Sequence, residues 1–303
     1  MISKEAKLKI AVVGATGIVG RVMMKLLTPC QVELFAIGHR SAGNEMHFGD
    51  STYHIHSSSD FDFDKVHGVV MSAGEACAQE VRAKVSHGWL IDNSSAFRRD
   101  TDVSLVVPEI FQGDISNTIA SPNCIAIPLT LVLQALGRDN IVSVWGSTYQ
   151  SVSGAGLGSL NALNEKKGVY DTVSAQIGDI HDGISGEEEK IHYEVNRILG
   201  KDIPISLMAV RVPIQYGHSM HLRIELQDSR SVLEKLKSCP YIKLYESSIP
   251  DPKSVIACNK VHIGRLKVQG SIVDMWVVSD NIYRGAAWNV FQIAKQYFGV
   301  KER

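Results

Sequence analysis

The feature that most constrains this chain is a glycine-spaced turn close to its amino end. Residues 7–13 (KLKIAVV) form a short apolar run of the kind that becomes a parallel strand buried on both faces. The run leads directly into Gly14-Ala15-Thr16-Gly17-Ile18-Val19-Gly20. Glycines at this spacing allow a tight turn and close approach of the backbone to a ligand. The amphipathic helix expected over residues 18–27 would offer its first N–H groups to a pyrophosphate. Strand, turn and helix in that order predict a dinucleotide site; the alternative is an ordinary strand-to-helix turn.

The next expected strand, residues 33–37, ends in Gly38-His39-Arg40-Ser41-Ala42-Gly43. A site for NAD usually places an acid here to hold the ribose hydroxyls. This chain has Arg40 and Ser41 instead. A guanidinium and a hydroxyl suit a 2′-phosphate, which predicts NADP, against the alternative of a solvated loop arginine. Further strands are expected at 69–72 and 90–93, with a helix over 75–85 between them. The last strand opens into Asp92-Asn93-Ser94-Ser95-Ala96-Phe97-Arg98, polar residues where open α/β sheets bind ligands, and Arg98 is suited to a phosphate or carboxylate. This alternation predicts a Rossmann-like, doubly wound parallel sheet.

Ile119 and Ala120 read as a strand end, followed by Ser121-Pro122-Asn123-Cys124 and an apolar run at 125–136. Ile125, Leu129, Val132, Leu133 and Leu136 have the spacing of one helix face. Cys124 would then occupy the first turn of a helix, where free N–H groups and the positive end of the dipole favour a thiolate. A buried structural cysteine is the competing reading.

From residue 141 the pattern changes. Strands are expected at 141–149, 205–212, 219–227, 262–268 and 271–279, the last two joined at Gln269-Gly270 as a hairpin. Residues 150–158 read as a glycine-rich loop and 168–186 as an irregular segment lining a cleft or an interface. A helix over 187–199 carries Glu187 and Lys190 one turn apart. Pro213 and Gly217 shape the turn between two strands and could hold Arg211 and His218 towards one cleft. A closing helix over 285–298 is expected to pack back on the first domain. The chain therefore divides into a cofactor domain, 1–123 completed by 281–303, and an α+β catalytic and dimerisation domain, 124–280, with a mostly antiparallel sheet.

Composition narrows the function. A formal charge of −1 leaves no basic footprint for nucleic acid, and no apolar run reaches the roughly 20 residues of a membrane span. The five cysteines are scattered without a CxxC pair, and the 11 histidines form no ligand cluster. Neither a disulfide framework nor a metal site is expected. The charged amino-terminal stretch lacks a signal-peptide core, which predicts a cytoplasmic protein.

Taken in order, GATGIVG (14–20), HRSAG (39–43), IDNSSAFR (91–98), VVPEI (106–110), SPNC (121–124), STYQSVSGAG (147–156), RVPIQYGHS (211–219) and WVVSDNIYRGAAWN (276–289) resemble the aspartate-β-semialdehyde dehydrogenase family. The resemblance implies a two-domain homodimer that reduces β-aspartyl phosphate with NADPH, releasing inorganic phosphate. It implies Cys124 as the thioester nucleophile, His218 as acid/base and Gln150 as the residue that orients substrate. Arg211 would bind the substrate carboxylate, with Asn123 and Glu187 as further substrate contacts and Arg98 and Lys190 as phosphate ligands. Gly14, Thr16, Gly17, Ile18, Val19, Arg40, Ser41, Ser153, Gly154 and Asn281 would contact the cofactor.

Two departures stand out against that pattern. Ile125, Ala126 and Pro128 replace the small hydroxyl residues and glutamine that usually follow the cysteine, and the stretch from 171 to 186 is shortened. Two alternatives remain at this level: the sister reduction of N-acetyl-γ-glutamyl phosphate, and a catalytically altered paralogue with a binding or regulatory role.

Overall fold

The computed structural model describes residues 7–302. Residues 1–6 of the charged amino-terminal stretch and Arg303 lie outside them. The chain forms two compact units, Met1–Pro122 with Ala286–Arg303, and Asn123–Gly285. It crosses between them at 122/123 and 285/286, against the expected 123/124 and 280/281.

The first unit begins with β1 (Leu8–Val13), α1 (Ile18–Leu27) and β2 (Val32–Gly38). It continues through β3 (Glu45–Phe48), β4 (Ser51–Ser57), β5 (Gly68–Met71), α2 (Glu75–Lys84), β6 (Trp89–Asp92), β7 (Ser104–Leu105) and β8 (Thr118–Ala120). The strands form one sheet in the order β3-β4-β2-β1-β5-β6-β8-β7, parallel except for the β3/β4 pair. Strand β1 pairs with β2 on one side and β5 on the other. The strand order therefore reverses around β1, the place where such sheets open a crevice at their carboxyl edge.

The second unit begins with α3 (Ala126–Leu136), β9 (Ile141–Gln150) and α4 (Leu157–Asn164). A two-residue hairpin, β10 (Ile180–His181) and β11 (Ile184–Ser185), precedes α5 (Gly186–Leu199), β12 (Ile205–Arg211) and β13 (His218–Leu226). Then come α6 (Val232–Ser238), β14 (Ile242–Leu244), β15 (Val261–Gln269) and β16 (Ile272–Ser279). The six-stranded sheet runs β12-β9-β13-β16-β15-β14, with antiparallel pairs except at the two edges. Alternate residues such as Leu222, Ile224, Val273 and Met275 are buried, whereas Val142, Trp145 and Met208 are exposed. That alternation is expected of a sheet covered on one face.

Helix α3 corrects the expectation of a single apolar face. Every residue from Ala126 to Leu133, and Leu136, is buried, and the helix packs against α5, α6 and β15. Ile125, Ala126 and Pro128 are therefore core residues. Pro128 is the third residue of the helix; its missing N–H gives up only the bond to the Cys124 carbonyl, between those that Ile127 and Leu129 make, which the first turn tolerates.

The 150–158 loop instead contains a 3₁₀ turn at Val152–Ala155 and the start of α4. The chain returns to the first unit through a π-helical turn, Tyr283–Ala287, and α7 (Trp288–Phe298), a later start than the 285 expected. The cause is local: the Gly285 N–H donates to the Asp280 carbonyl five residues back, while the Asp280 carboxylate accepts from the Ile282 and Tyr283 N–H groups. Helix α7 buries Val290, Phe291, Ile293 and Ala294 in the first unit's core, and Phe298 stacks on Trp89 at 4.6 Å between ring centroids.

Candidate active site

In the first unit a cleft of about 650 Å³ opens at the carboxyl ends of β1, β2 and β5. Its floor is backbone. Gly14 has φ +78°, and a Cβ there would lie 2.6 Å from the Ser72 carbonyl oxygen, so only glycine fits. Gly17 precedes α1 and no side chain caps the helix, which leaves its first N–H groups available to a phosphate. Thr16 Oγ1 and Ser41 Oγ lie 3.2 Å apart across the cleft, with Arg40 exposed at its rim. Arg40 makes no hydrogen bond or ion pair among the described residues. Ile18 and Val19 contribute the opening turn of α1 rather than the cleft lining. A dinucleotide diphosphate and a 2′-phosphate fit these donors. Cys77 and Glu80 of α2 also line the cleft; the sequence reading passed over both, because α2 carries no motif.

Arg98 belongs to this unit. It is buried, with Nε donating to the Ser121 carbonyl at 2.9 Å and Nη2 to the Asn93 carbonyl at 3.1 Å. The segment that carries it is clamped by Arg82, which reaches Asp100 and Asp102 at 3.0 Å each and covers the Phe97 ring.

In the second unit the chemistry gathers around Cys124. The cysteine sits two residues before α3, in a turn whose first helical hydrogen bond runs from the Ile127 N–H to the Asn123 carbonyl. The Asn123 side chain supplies the cap, its Oδ1 accepting from the Ile125 N–H at 2.7 Å. Cys124 thus lies within the first hydrogen-bonded turn, two residues before the regular helix begins at Ala126. Its Sγ lies 3.3 Å from His218 Nε2. Gly285 presses on its other side, where an added Cβ would lie 2.9 Å from Cys124 Cβ and 3.0 Å from its carbonyl oxygen.

His218 opens β13 and is 1% exposed. Its Nδ1 is engaged by the Ser151 N–H at 3.0 Å and by Ser151 Oγ at 3.1 Å, so Nε2 is the nitrogen that faces sulfur. Burial, with the Arg211 guanidinium adding to it, pushes the His218 pKa down to about 3 and keeps the ring neutral. Arg211, at the end of β12, donates through Nη1 to the Ser151 carbonyl at 2.8 Å. Burial lowers its own pKa, an effect opposed by the Cys124 and Glu187 charges. Gly154 is exposed and leaves the space between them open: a Cβ there would come within 3.1 Å of Arg211 and 3.2 Å of His218.

Asn281 is 1% exposed and hydrogen-bonded through both ends of its amide. Its Oδ1 accepts from the Gly217 N–H at 2.9 Å and from Ser151 Oγ at 3.2 Å, and its Nδ2 donates to Ser153 Oγ at 3.1 Å. The residue read as a cofactor contact therefore ties together the three backbone segments that surround His218. Ser153 is itself buried in this network.

Helix α5 supplies the remaining groups. Ser185 and Glu188 form a capping box that fixes its start. In its first turn, Glu187 Oε1 accepts from Gln150 Nε2 at 3.2 Å and from Asn123 Nδ2 at 3.0 Å. Gln150 is 1% exposed and also donates to Thr148 Oγ1. Lys190 is half-buried and makes no hydrogen bond or ion pair among the described residues. Glu194 is buried and accepts from the Asn123 N–H at 2.5 Å.

One unit thus brings together Cys124, His218, Gln150, Arg211, Asn123 and Glu187, with Ser153, Gly154 and Asn281 beside His218. The other holds Arg98, Arg40, Ser41 and the glycine turn. Ser151, Glu194 and Gly285 went unrecognised as site residues, since nothing in their spacing distinguishes them from ordinary residues. Among the described residues no group of three or more His, Cys, Asp or Glu could hold a metal ion, and no helix is long and apolar enough to cross a membrane.

A dinucleotide cleft in one unit, and a cysteine beside a buried histidine in the other, are the parts of a dehydrogenase. Residues 9–118 match the semialdehyde dehydrogenase NAD-binding domain and residues 133–284 the semialdehyde dehydrogenase dimerisation domain. The chain is 33% identical to an aspartate-semialdehyde dehydrogenase of Rickettsia bellii, covering 96% of this chain and 97% of the relative. It is 32% identical to that of Bacillus subtilis, over 95% and 96%. Among solved structures, aspartate semialdehyde dehydrogenase II of Vibrio cholerae complexed with ASA superposes with a TM-score of 0.89 at 28% identity, covering 97% of this chain and 100% of that one. The chain belongs to the aspartate-semialdehyde dehydrogenase family.

Proposed function

We propose that this chain converts β-aspartyl phosphate to aspartate semialdehyde with release of inorganic phosphate, using NADPH, through a thioester on Cys124. The observation that carries the reading is the Cys124 Sγ to His218 Nε2 approach of 3.3 Å, with Arg211 on the Ser151 that holds His218 and Gln150 joined through Glu187 to Asn123. A nucleophile, a proton carrier and a fixed cation in one place match attack on an acyl phosphate that bears a carboxylate.

Cys124 attacks the acyl carbon as the thiolate. The bond to the phosphate oxygen breaks, and phosphate leaves with both bonding electrons, its charge met by Lys190. Arg211 holds the substrate carboxylate, Glu187 its amino group, and Gln150 orients the carbonyl. NADP(H) would be held by Gly14, Thr16, Gly17, Ile18, Val19, Arg40 and Ser41. When bound, its reduced nicotinamide supplies the hydride that takes the thioester to the aldehyde level. The Ser151 N–H holds Nδ1 as an acceptor, so the neutral ring carries its proton on Nε2 and acts on sulfur as an acid. Nε2–H hydrogen-bonds Cys124 Sγ, favouring the thiolate before attack and stabilising it again as sulfur departs, while the thiol proton itself passes to solvent.

A homodimer is supported by the match to a dimerisation domain. A cytoplasmic location is supported by the cysteines, which form no disulfide among the described residues and include the reactive thiol. Burial of Ile125 before α3 and of Ala126 and Pro128 within it speaks against an altered paralogue, because these side chains pack the core.

The test is phosphate-dependent reduction of NADP by purified protein given aspartate semialdehyde. Activity that disappears in Cys124→Ala supports the reading. No turnover by folded, NADP-binding protein would overturn it, and turnover of N-acetylglutamate semialdehyde in the same assay would move the assignment to the sister reaction.

A further inference from the structure

Glu194 is 2% exposed, far from the cleft-facing start of α5, and no step of the chemistry uses it. Carboxylates are rarely buried unless they are bonded. Its Oε2 takes the backbone N–H of Asn123 at 2.5 Å, the residue immediately before Cys124. Glu187 lies seven residues earlier on α5, two turns away and on the same helix face. Its Oε1 takes Asn123 Nδ2 at 3.0 Å, and Asn123 Oδ1 in turn caps Ile125. Two carboxylates of one helix therefore hold one asparagine at both its backbone and its side chain. That asparagine sets where the next residue's sulfur points.

We propose that Glu194 is a positioning residue of the thiol chemistry: from α5 it fixes the backbone of Asn123, and through it the alignment of Cys124 Sγ on His218 Nε2. The inference deepens the reductase reading and rests on it for its catalytic consequence. It explains how the nucleophile turn keeps its shape with no hydroxyl residues after the cysteine. Helix α3 supplies only an apolar body there, so the polar restraint comes from α5. It also makes one rigid helix the carrier of both the substrate contact, Glu187, and the nucleophile's backbone anchor. Substrate and sulfur are then placed by a single element, and a small error in their relative placement is costly: about 1 Å is enough for roughly a hundredfold loss of rate.

The experiment compares Glu194→Ala and Glu194→Gln with wild type. Two readouts are taken: steady-state kinetics in the phosphate-dependent direction, and the rate of Cys124 alkylation by iodoacetamide followed by peptide mass spectrometry. Alkylation needs no substrate. Glu194→Ala is expected to lower kcat about a hundredfold with KM for aspartate semialdehyde changed less than about threefold. It is also expected to slow Cys124 alkylation by about fivefold or more, because a sulfur turned away from His218 loses the contact that favours its thiolate. Glu194→Gln keeps an acceptor oxygen at the same place and is expected to recover most of both losses. A residue that only stabilised the fold would lower the melting temperature and leave kcat and native-state alkylation near wild type.

Wild-type kcat and alkylation in folded Glu194→Ala would overturn the proposal while leaving the reductase reading intact. If Glu194→Ala does not fold, Glu194→Gln decides together with Glu194→Asp: the shorter acid cannot reach Asn123, and wild-type behaviour from Glu194→Asp would overturn the proposal. A wild-type protein with no turnover, whose Cys124 alkylation still depends on Glu194, would sink the reductase reading and keep the positioning role.

Discussion

The two units build their sites from opposite materials. In the first, the cofactor cleft is made of backbone: a glycine at φ +78°, free N–H groups at the start of α1, and side chains such as Arg40 that stand exposed at the rim. In the second, the reactive groups are side chains locked by other side chains: Cys124 on His218, His218 on Ser151, Ser151 on Asn281, Asn123 on Glu187 and Glu194. A backbone cradle tolerates change at its rim and fails only where a Cβ intrudes. An interlocked polar network transmits the loss of one member to the rest. Changes in the first unit should therefore appear as cofactor affinity and preference, and changes in the second as loss of turnover.

The largest expected effect is at the nucleophile. Cys124→Ala should remove turnover by about 10⁴-fold or more, with NADP binding by fluorescence titration unchanged. Weakened NADP binding in that variant would break the separation between the two sites. His218→Asn should follow, with kcat lower by about 10²- to 10⁴-fold and the cofactor KM little altered. Its thiol should also alkylate more slowly at neutral pH, since sulfur would lose the Nε2 contact at 3.3 Å. Gly285→Ala tests the wall behind the sulfur. The added carbon would stand 2.9 Å from Cys124 Cβ, so the turn must shift, and kcat should fall by roughly 10- to 100-fold. Unchanged kinetics there would mean that the π turn yields without moving Cys124.

These residues also mark where the sequence was legible. Helix α1 falls on the expected residues because it follows a glycine turn and buries one stripe, Met23, Met24 and Leu27 among it. Five of the six strands of the second sheet could be read from their apolar, β-branched runs; β14, three residues long at the sheet edge, could not. Strand β3 could not be, because its edge position leaves Glu45 and His47 exposed and removes the apolar signal. Helix α3 showed its existence but not its setting, since a helix buried all round has no polar face to orient it. The cysteine, the histidine and the arginine emerged from their local motifs and from the family resemblance. Ser151, Glu194 and Gly285 did not. Their roles are contacts between residues 67, 71 and 161 positions apart in sequence, and no periodicity or motif encodes such a distance.

Arg40 sharpens the first half of the comparison with a smaller effect. Its guanidinium is exposed at the cleft rim and makes no hydrogen bond or ion pair among the described residues. Arg40→Ala should cost about 10-fold in kcat/KM for NADP, the scale of one charge-assisted hydrogen bond, and leave kcat/KM for NAD unchanged. Equal losses with both cofactors would mean that Arg40 supports the loop rather than the 2′-phosphate.

The smallest effect is on stability, and it comes from histidines that only the second unit buries with lowered pKa values. That unit buries two histidines neutral. His218 is pushed down to about 3 by burial and then by Arg211; His262 is pushed down to about 4 by burial and then by Lys243 and Lys260. In the unfolded chain each would titrate near 6.5. Below about pH 6.5 the unfolded state therefore binds protons that the folded state refuses, and stability falls as the pH drops. The contribution is fully present above 6.5 and is lost progressively as the pH falls through 4 towards 3, each histidine adding a slope of at most about 1.4 kcal/mol per pH unit inside its window. Melting temperature measured from pH 7.5 to 4 should decline on the acid side, and His262→Phe should flatten that decline while leaving turnover largely intact, because His262 hydrogen-bonds Tyr245 and lies outside the Cys124 network. A decline of the same steepness in that variant would trace the acid sensitivity to other groups and remove it from the list of differences between the two units.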